Sequence, residues 1–454
     1  TSFVSASFWL PRSEEMQANI VNFFAIFLAI CKPLTCHDNL DAAAFQAGQG
    51  GTVEFGQAAK APRYLLFEVN PGEGFNLRRD VYMRVANLVK MLNEEEPWVL
   101  VLPPWGRIYH WQSNMHQNQI PWSTFFDLES LRRHVPVIEF TDYLKVRGGD
   151  KVIEEIYYLQ RYAEGWDGGK WEDKIDIREC IDDTGFKQTV SDKWEWWFWD
   201  YPGVYGADFK CLSVQAHAGL MKPFLMHNTT GKAVFLVRAE NLIHGMLSEW
   251  SKEYWTARRS MVFAKHLRKL GDKFRSKHLN STDEADNTIF EEDWTKMKRK
   301  HGEAKGGPYV AVHLRRRDFL RGHAEDVPSL KYAAEQLKVI LDKQGSTTLF
   351  LATDAPKEEV TTLKGHLDGY TVKQYKPSEK VHKKYFDGGV AIIDQWICAH
   401  ARYFTGTSVS TFSFRIHEER EILGFDPVTT FNRLCGDKEG KKCEKPSKWP
   451  IVYS

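Results

Sequence analysis

Residues 63–102, RYLLFEVNPGEGFNLRRDVYMRVANLVKMLNEEEPWVLVL, decide the fold class. Tyr64–Val69 is an apolar run broken by Asn70-Pro71-Gly72-Glu73-Gly74, which reads as a strand followed by a turn. Leu77, Val81, Val85, Leu88 and Leu92 then recur at intervals of four, four, three and four, which marks one face of a helix. Trp98–Leu102 is a second continuously apolar strand, stopped by Pro103-Pro104. Strand, helix, strand in this compass is the βαβ unit of a parallel sheet. Ligands of such sheets bind beyond the carboxyl ends of the strands, where Asn70–Asn76 falls.

A second α/β unit begins at Gly306-Gly307, with a strand over Tyr309–Leu314, a helix over Lys331–Leu341 and a strand over Thr348–Ala352 ending at Thr353-Asp354. Gly389–Phe404 is predicted as one helix, and Thr405–Phe412 as a hydroxyl-rich loop leading into a helix that runs to about Ile422. Between the two units, 145–255 reads as loop-rich and aromatic, and a single long helix is predicted over Thr256–Leu279. The Trp-rich stretch Lys193–Asp200 is read as packed core in preference to a ligand platform. The expected layout is an N-terminal Rossmann-like domain over 62–260 and a C-terminal one over 261–454.

Composition sets outer limits. Lys+Arg 61 against Asp+Glu 60 leaves a net charge of +1, which argues against a dedicated nucleic-acid or acidic-membrane binder. Ile20–Cys31 is an apolar run of 12 residues, too short to span a bilayer and suited to the h-region of a signal peptide. Met16 reads as the initiator, so 1–36 is expected to be an upstream extension plus signal peptide, and the Gly/Ala-rich 37–61 a linker. Seven Cys show no zinc spacing. Cys435 and Cys443 flank a short polar loop and Cys180 and Cys211 a long one, two plausible disulfides, while Cys398 sits in an apolar stretch as a buried thiol. Sequons at Asn228 and Asn280 add to a secretory reading.

Four groups could carry chemistry. His313-Leu314-Arg315-Arg316-Arg317-Asp318 ends a strand, and a guanidinium there can bind phosphate bidentately; a plain charged loop is the alternative. Thr405–Ser413 places small hydroxyl residues at a helix start, fit for an anion or for ordinary capping. Neither stretch is a Walker A or G-x-G-x-x-G motif, so ATP and dinucleotide chemistry are unsupported. Asp394 interrupts an apolar helix face and would accept from a nucleobase edge or from a neighbouring Trp or Arg. Glu73, between two glycines, is a candidate general base or a helix-dipole partner.

The stretches Val69–Asp80, Val101–Arg107 with Tyr109–Ser113, His313–Phe319 and Asp387–Arg402 closely resemble the GDP-fucose protein O-fucosyltransferases, from about Pro62 to Tyr453. The Glu in the first loop matches the branch acting on thrombospondin type 1 repeats, not the sister branch acting on EGF-like repeats. The resemblance implies an inverting, metal-independent GT-B enzyme of the endoplasmic reticulum lumen, with two Rossmann-like domains facing across a cleft. It would move fucose from GDP-fucose to Ser or Thr of folded repeats. By motif, Glu73 is the catalytic base, and Gly72, Gly74, Phe75 and Asn76 line the donor site. His313, Leu314 and Arg315 reach the pyrophosphate and fucose, Asp394 reads guanine, and Ser410, Thr411 and Phe412 hold the nucleotide. The pairs Cys180–Cys211 and Cys435–Cys443 are also the family's. Gly72 departs from the pattern by standing in place of a second Pro. The competing reading is a non-catalytic lumenal sensor that grips folded Cys-rich repeats.

Overall fold

Nine strands form the first sheet, and their order is set by which segments are apolar on both faces. In the computed structural model, which describes residues 60–165, 172–439, 443 and 449–454, these are β1 (Arg63–Phe67), β2 (Trp98–Leu102), β3 (Val137–Glu139), β4 (Val152–Gln160), β5 (Lys174–Arg178), β6 (Lys187–Gln188), β7 (Trp194–Glu195), β8 (Tyr205–Gln215) and β9 (Ala233–Val237). They lie in the order β3-β2-β1-β9-β4-β8-β7-β6, with β5 also on β8. The ladder from β3 through β8 is parallel, and only β5, β6 and β7 pair antiparallel at the far edge. β2 and β9 are buried along their whole length, as strands covered on both faces must be. The expected extension, signal peptide and nearly all of the linker lie outside the described residues.

The second sheet is wholly parallel: β10 (Gly307–Leu314), β11 (Thr348–Thr353), β12 (Thr371–Lys373), β13 (Ala401–Gly406) and β14 (Asn432–Arg433), in the order β12-β11-β10-β13-β14. The chain winds one way from β10 and then crosses to β13, so the strand order reverses between β10 and β13. In the first sheet the reversal falls between β1 and β9. Such switch points open a crevice at the carboxyl ends, which is where a doubly wound sheet binds its ligand.

Three expectations change. The 145–255 stretch is not loop-dominated, because β4, β8 and β9 fill the centre of the first sheet. Their polar residues disguise them: Glu155 Oε1 accepts from Thr230 N (2.7 Å) and Gly231 N (2.6 Å), and Glu154 Oε2 accepts from Ala233 N (2.9 Å). The helix predicted to reach Phe404 ends at Ala399, and Ala401–Gly406 is the inner strand β13. One buried residue, His400, makes the turn, so no Gly or Pro marks it. The long helix is two helices, Lys252–Ser260 and Lys265–Leu279. Between them the backbone pairs with a neighbouring segment, Asp127 N donating to Val262 O and Ala264 N to Phe125 O, each at 2.9 Å.

Trp199 and Phe198 are buried and Trp194, Trp196 and Trp197 pack against the same cluster, so the Trp-rich stretch is core. Cys180–Cys211 and Cys435–Cys443 are disulfides, and Cys398 is a free buried thiol. Asn228 and Asn280 are both exposed. Among the described residues no helix is long and apolar enough to cross a membrane.

A buried charge cluster joins the helices that follow each switch point. Arg258 pairs with Glu418 and, at 2.7 Å, with Glu419, while Arg415 pairs with Glu418 (3.0 Å) and with Asp80 (3.4 Å). Arg258 and Glu418 are essentially inaccessible to solvent. Replacing Arg258 by Ala leaves Glu418 and Glu419 short of a cation in a dry site. The expected loss is about 3–5 kcal/mol of stability, read from urea unfolding.

Candidate active site

At the β10/β13 switch point hydrogen bonds tie two loops into one unit. Thr407 N donates to His313 O (2.9 Å) and Arg315 N donates to Thr407 Oγ1 (2.9 Å), which ties the loop after β13 to the end of β10. This fastening sets the N-terminus of the helix Thr411–Leu423 beside Arg315. Its N-cap, Ser410, is buried and makes no side-chain capping bond, so first-turn N–H groups remain available to a ligand. Val409 has φ 51°, costly for a β-branched residue, in the loop that presents them.

Arg315 is already oriented. Its Nη2 donates to Asp318 Oδ1 (2.6 Å) and its Nη1 pairs with Asp354 Oδ2 (2.8 Å). Arg316 turns away, to Glu359 and Pro328 O, while Arg317 reaches Asp354 O and Gln112 Oε1. His313 is buried, its Nδ1 bonds Ser413 Oγ at 2.8 Å, and its ring stacks on Phe412 at 4.2 Å. Burial, with help from Arg315, pushes its pKa down to about 3, so it serves as a neutral imidazole. Leu314 differs from its expected place: its side chain lies in the core with Val310 and Val312, leaving only its backbone to face a donor.

Glu73 follows β1, at the other switch point. It immediately precedes the helix Phe75–Leu92, whose N-cap Gly74 has no side-chain capping bond, so Glu73 does not cap that helix. Its carboxylate has no hydrogen-bond or ion-pair partner among the described residues. Burial, then the nearby Glu240, raises its pKa against the opposing pull of Arg78, Arg238 and Arg84. The loop is held from beneath by Arg78, which donates to Glu68 Oε1 (2.7 Å), Asn70 O (3.1 Å) and Glu73 O (3.2 Å). Glu240, at the end of β9, accepts from Asn70 N at 3.1 Å. The flanking glycines adopt no positive φ; Gly74 is needed because a Cβ there would lie 2.6 Å from His110 Nδ1.

Asn76 and Gln395 draw the two halves together. Gln395, next to Asp394, donates to Asn76 Oδ1 at 2.8 Å and accepts from the buried Arg79 at 2.7 Å. Phe75 is buried in the aromatic cluster with Trp105, Trp111 and Phe125. Gly72 is exposed at the turn. Asp394 Oδ1 is shielded from solvent and unpartnered, and burial drives its carboxyl well above the usual range. Such an oxygen calls for a ligand N–H.

Thus His313, Arg315 and the Ser410–Phe412 loop gather at one switch point, while Gly72, Gly74, Phe75 and Asn76, also expected at the donor, stand at the other with Glu73. Asp354 and Glu240, which hold Arg315 and the Glu73 loop, lie far from them in sequence and carry no local signal, whereas Glu68 acts through Arg78 within the same βα unit. Among the described residues no group of three or more His, Cys, Asp or Glu is placed to hold a metal ion.

Residues 64–423 match the family model of GDP-fucose protein O-fucosyltransferase. The chain belongs to that family. It is 55% identical over 410 residues to GDP-fucose protein O-fucosyltransferase 2 of Pan troglodytes, covering 90% of this chain and 94% of the relative. Against the protein of the same name from Caenorhabditis elegans it is 45% identical over 401 residues, covering 87% and 91%. The crystal structure of POFUT1 in complex with GDP-fucose superposes with a TM-score of 0.55 at 17% identity, over 83% of this chain and 99% of that one. The fold is α/β of GT-B type, and the chain is a fucosyltransferase enzyme using GDP-fucose.

The charge beside Glu73 gives a pH test. If Glu73 is the general base, it acts only when deprotonated, so the rate must fall as pH drops through its pKa. Glu240→Gln removes the like charge that raises this pKa. The acid limb of the single-turnover pH profile is expected to move to lower pH; an unmoved limb, or one moved upward, would detach Glu240 from the base.

Proposed function

We propose that this enzyme transfers fucose, with inversion and without a metal, to Ser or Thr hydroxyls of folded thrombospondin type 1 repeats in the endoplasmic reticulum lumen. The observation that carries the reading is the division of labour between the switch points. Fixed positive charge lies at one, and an unpartnered carboxylate of raised pKa lies at the other. As the sugar–phosphate bond breaks, negative charge grows on the β-phosphate and positive charge on the sugar. Arg315 and the N-terminus of Thr411–Leu423 are suited to receive the former without reorganising. Glu73 takes the proton of the acceptor hydroxyl as it attacks from the opposite face, and one such attack inverts the anomeric centre.

His313 supports the leaving group as a neutral donor, Asp394 accepts from the guanine edge, and Phe412 and Ser410 line the nucleotide. The acceptor class rests on the resemblance of the Glu-bearing first loop. Two disulfides and two exposed sequons support a secretory setting.

Glu73→Gln keeps size and polarity but cannot accept the proton. GDP binding and melting temperature are expected to stay, with single-turnover fucosylation of a folded repeat reduced about 10²–10⁴-fold. A normal rate would place the base elsewhere. Arg315→Ala should weaken GDP binding by about 1.5–3 kcal/mol in calorimetry; unchanged affinity would remove it from the phosphate site. Activity should persist in chelator, and a folded repeat should be modified where the unfolded repeat and an EGF-like repeat are not.

A further inference from the structure

The segment Tyr109-His110-Trp111-Gln112-Ser113 lies in a loop closed by the antiparallel pair Trp105–Ile120, with N···O distances of 2.8 and 2.9 Å. The loop springs from the first half and is fastened to the second. Asp387 Oδ2 accepts from Ser113 N (3.1 Å) and Gln117 Nε2 (3.0 Å), and Arg317 Nη1 donates to Gln112 Oε1 (3.0 Å). His110 stands midway along it. Its ring lies so close to Gly74 that a Cβ there would meet Nδ1 at 2.6 Å and Cε1 at 2.9 Å. Its Nε2 is 3.5 Å from Asp318 Oδ2, and Asp318 Oδ1 holds Arg315. With 35% of its side chain exposed, His110 is not filling a core. One imidazole therefore touches the residue after Glu73 on one side and the carboxylate that aims Arg315 on the other.

We propose that His110 is a positioning residue for fucosyl transfer, setting the spacing between the Glu73 loop and the Arg315 cluster by packing on Gly74 while pairing with Asp318. The proposal rests on the reading of Glu73 as base and Arg315 as phosphate contact. A spacer of this kind acts on the geometry of attack and leaves nucleotide affinity nearly alone. A misplacement of about 1 Å between reacting groups can cost of the order of 10² in rate.

The test compares His110→Ala, His110→Gln, Gly74→Ala and the double variant Gly74→Ala/His110→Ala by single turnover at saturating donor, GDP calorimetry and melting curves. His110→Ala is expected to be slowed about 10–100-fold, with the GDP dissociation constant changed less than about threefold. His110→Gln, which keeps an N–H toward Asp318, should recover part of the rate. Gly74 has φ −78° and ψ 166°, which alanine tolerates, so Gly74→Ala should be slow only because it displaces the imidazole. The double variant should then be no slower than His110→Ala alone.

A wild-type rate in His110→Ala, a loss of GDP affinity as large as the loss of rate, a folded Gln variant as slow as Ala, or multiplying effects in the double variant would each overturn the proposal. Should His110→Ala fail to fold, His110→Gln and Gly74→Ala still decide it. Glu73→Gln, run alongside, separates the two readings. If it turns over normally the base assignment falls and this proposal with it; if it is slow while His110→Ala is not, only this proposal falls.

Discussion

A carboxylate sealed from water is costly without a cation beside it, and Glu418 is such a group at the junction of the two halves. It sits on the helix that opens at Ser410–Thr411, and it is met by Arg258 and Arg415. Arg415 in turn reaches Asp80 on the helix that follows Glu73. Desolvation makes each ion intolerable without its partners. The helix after Glu73 and the helix after the Ser410 loop are therefore tied to one another. That coupling is what permits two distant sheets to present one site. Phe75 stacks on Phe126, and the Arg79 guanidinium lies over the Phe75, Phe126 and Phe263 rings in the same junction.

The same logic sets the state of the candidate site groups. Arg315 is aimed by two carboxylates before any donor arrives, so its rotamer freedom is already lost when phosphate binds. His313 is held neutral by burial and by its cationic neighbour, which keeps it a directional hydrogen-bonding group beside the anion site. Glu73 stands in the opposite condition, unpaired and next to Glu240, so its basicity rises. Fixed charge on one side and raised basicity on the other come from the same backbone device, a loop at a topological switch point.

Much of this was legible from residues that act locally. β1, β2, β10 and β11 are apolar runs closed by turn residues, and Glu73, His313 and Arg315 sit at strand ends that those runs mark. What could not be read acts at a distance. The carboxylates of β4 look like loop residues until the turn at Thr230–Gly231 is seen donating to Glu155. β13 is hidden because an apolar helix passes into an apolar strand through His400 alone. The break at Met261–Ala264 comes from pairing with Phe125–Asp127, a contact no periodicity announces. Glu240 touches the base loop from 170 residues away.

Gly72 in place of a second proline looks, from sequence, like a loosening of the loop that carries the base. The hydrogen bonds argue otherwise. Gly72 N donates to Asn70 Oδ1 at 3.3 Å, closing a side-chain turn that a proline, lacking the N–H, could not make. Asn70 O then accepts from both Glu73 N (2.9 Å) and Arg78 Nη2 (3.1 Å). A proline would stiffen the unfolded chain, an effect of about 0.4–1 kcal/mol at a compatible site. The native turn instead takes its order from Asn70 and from the buried Arg78–Glu68 pair beneath it. The order of this loop is thus supplied by tertiary contacts, and the residue at position 72 is free to be small and exposed.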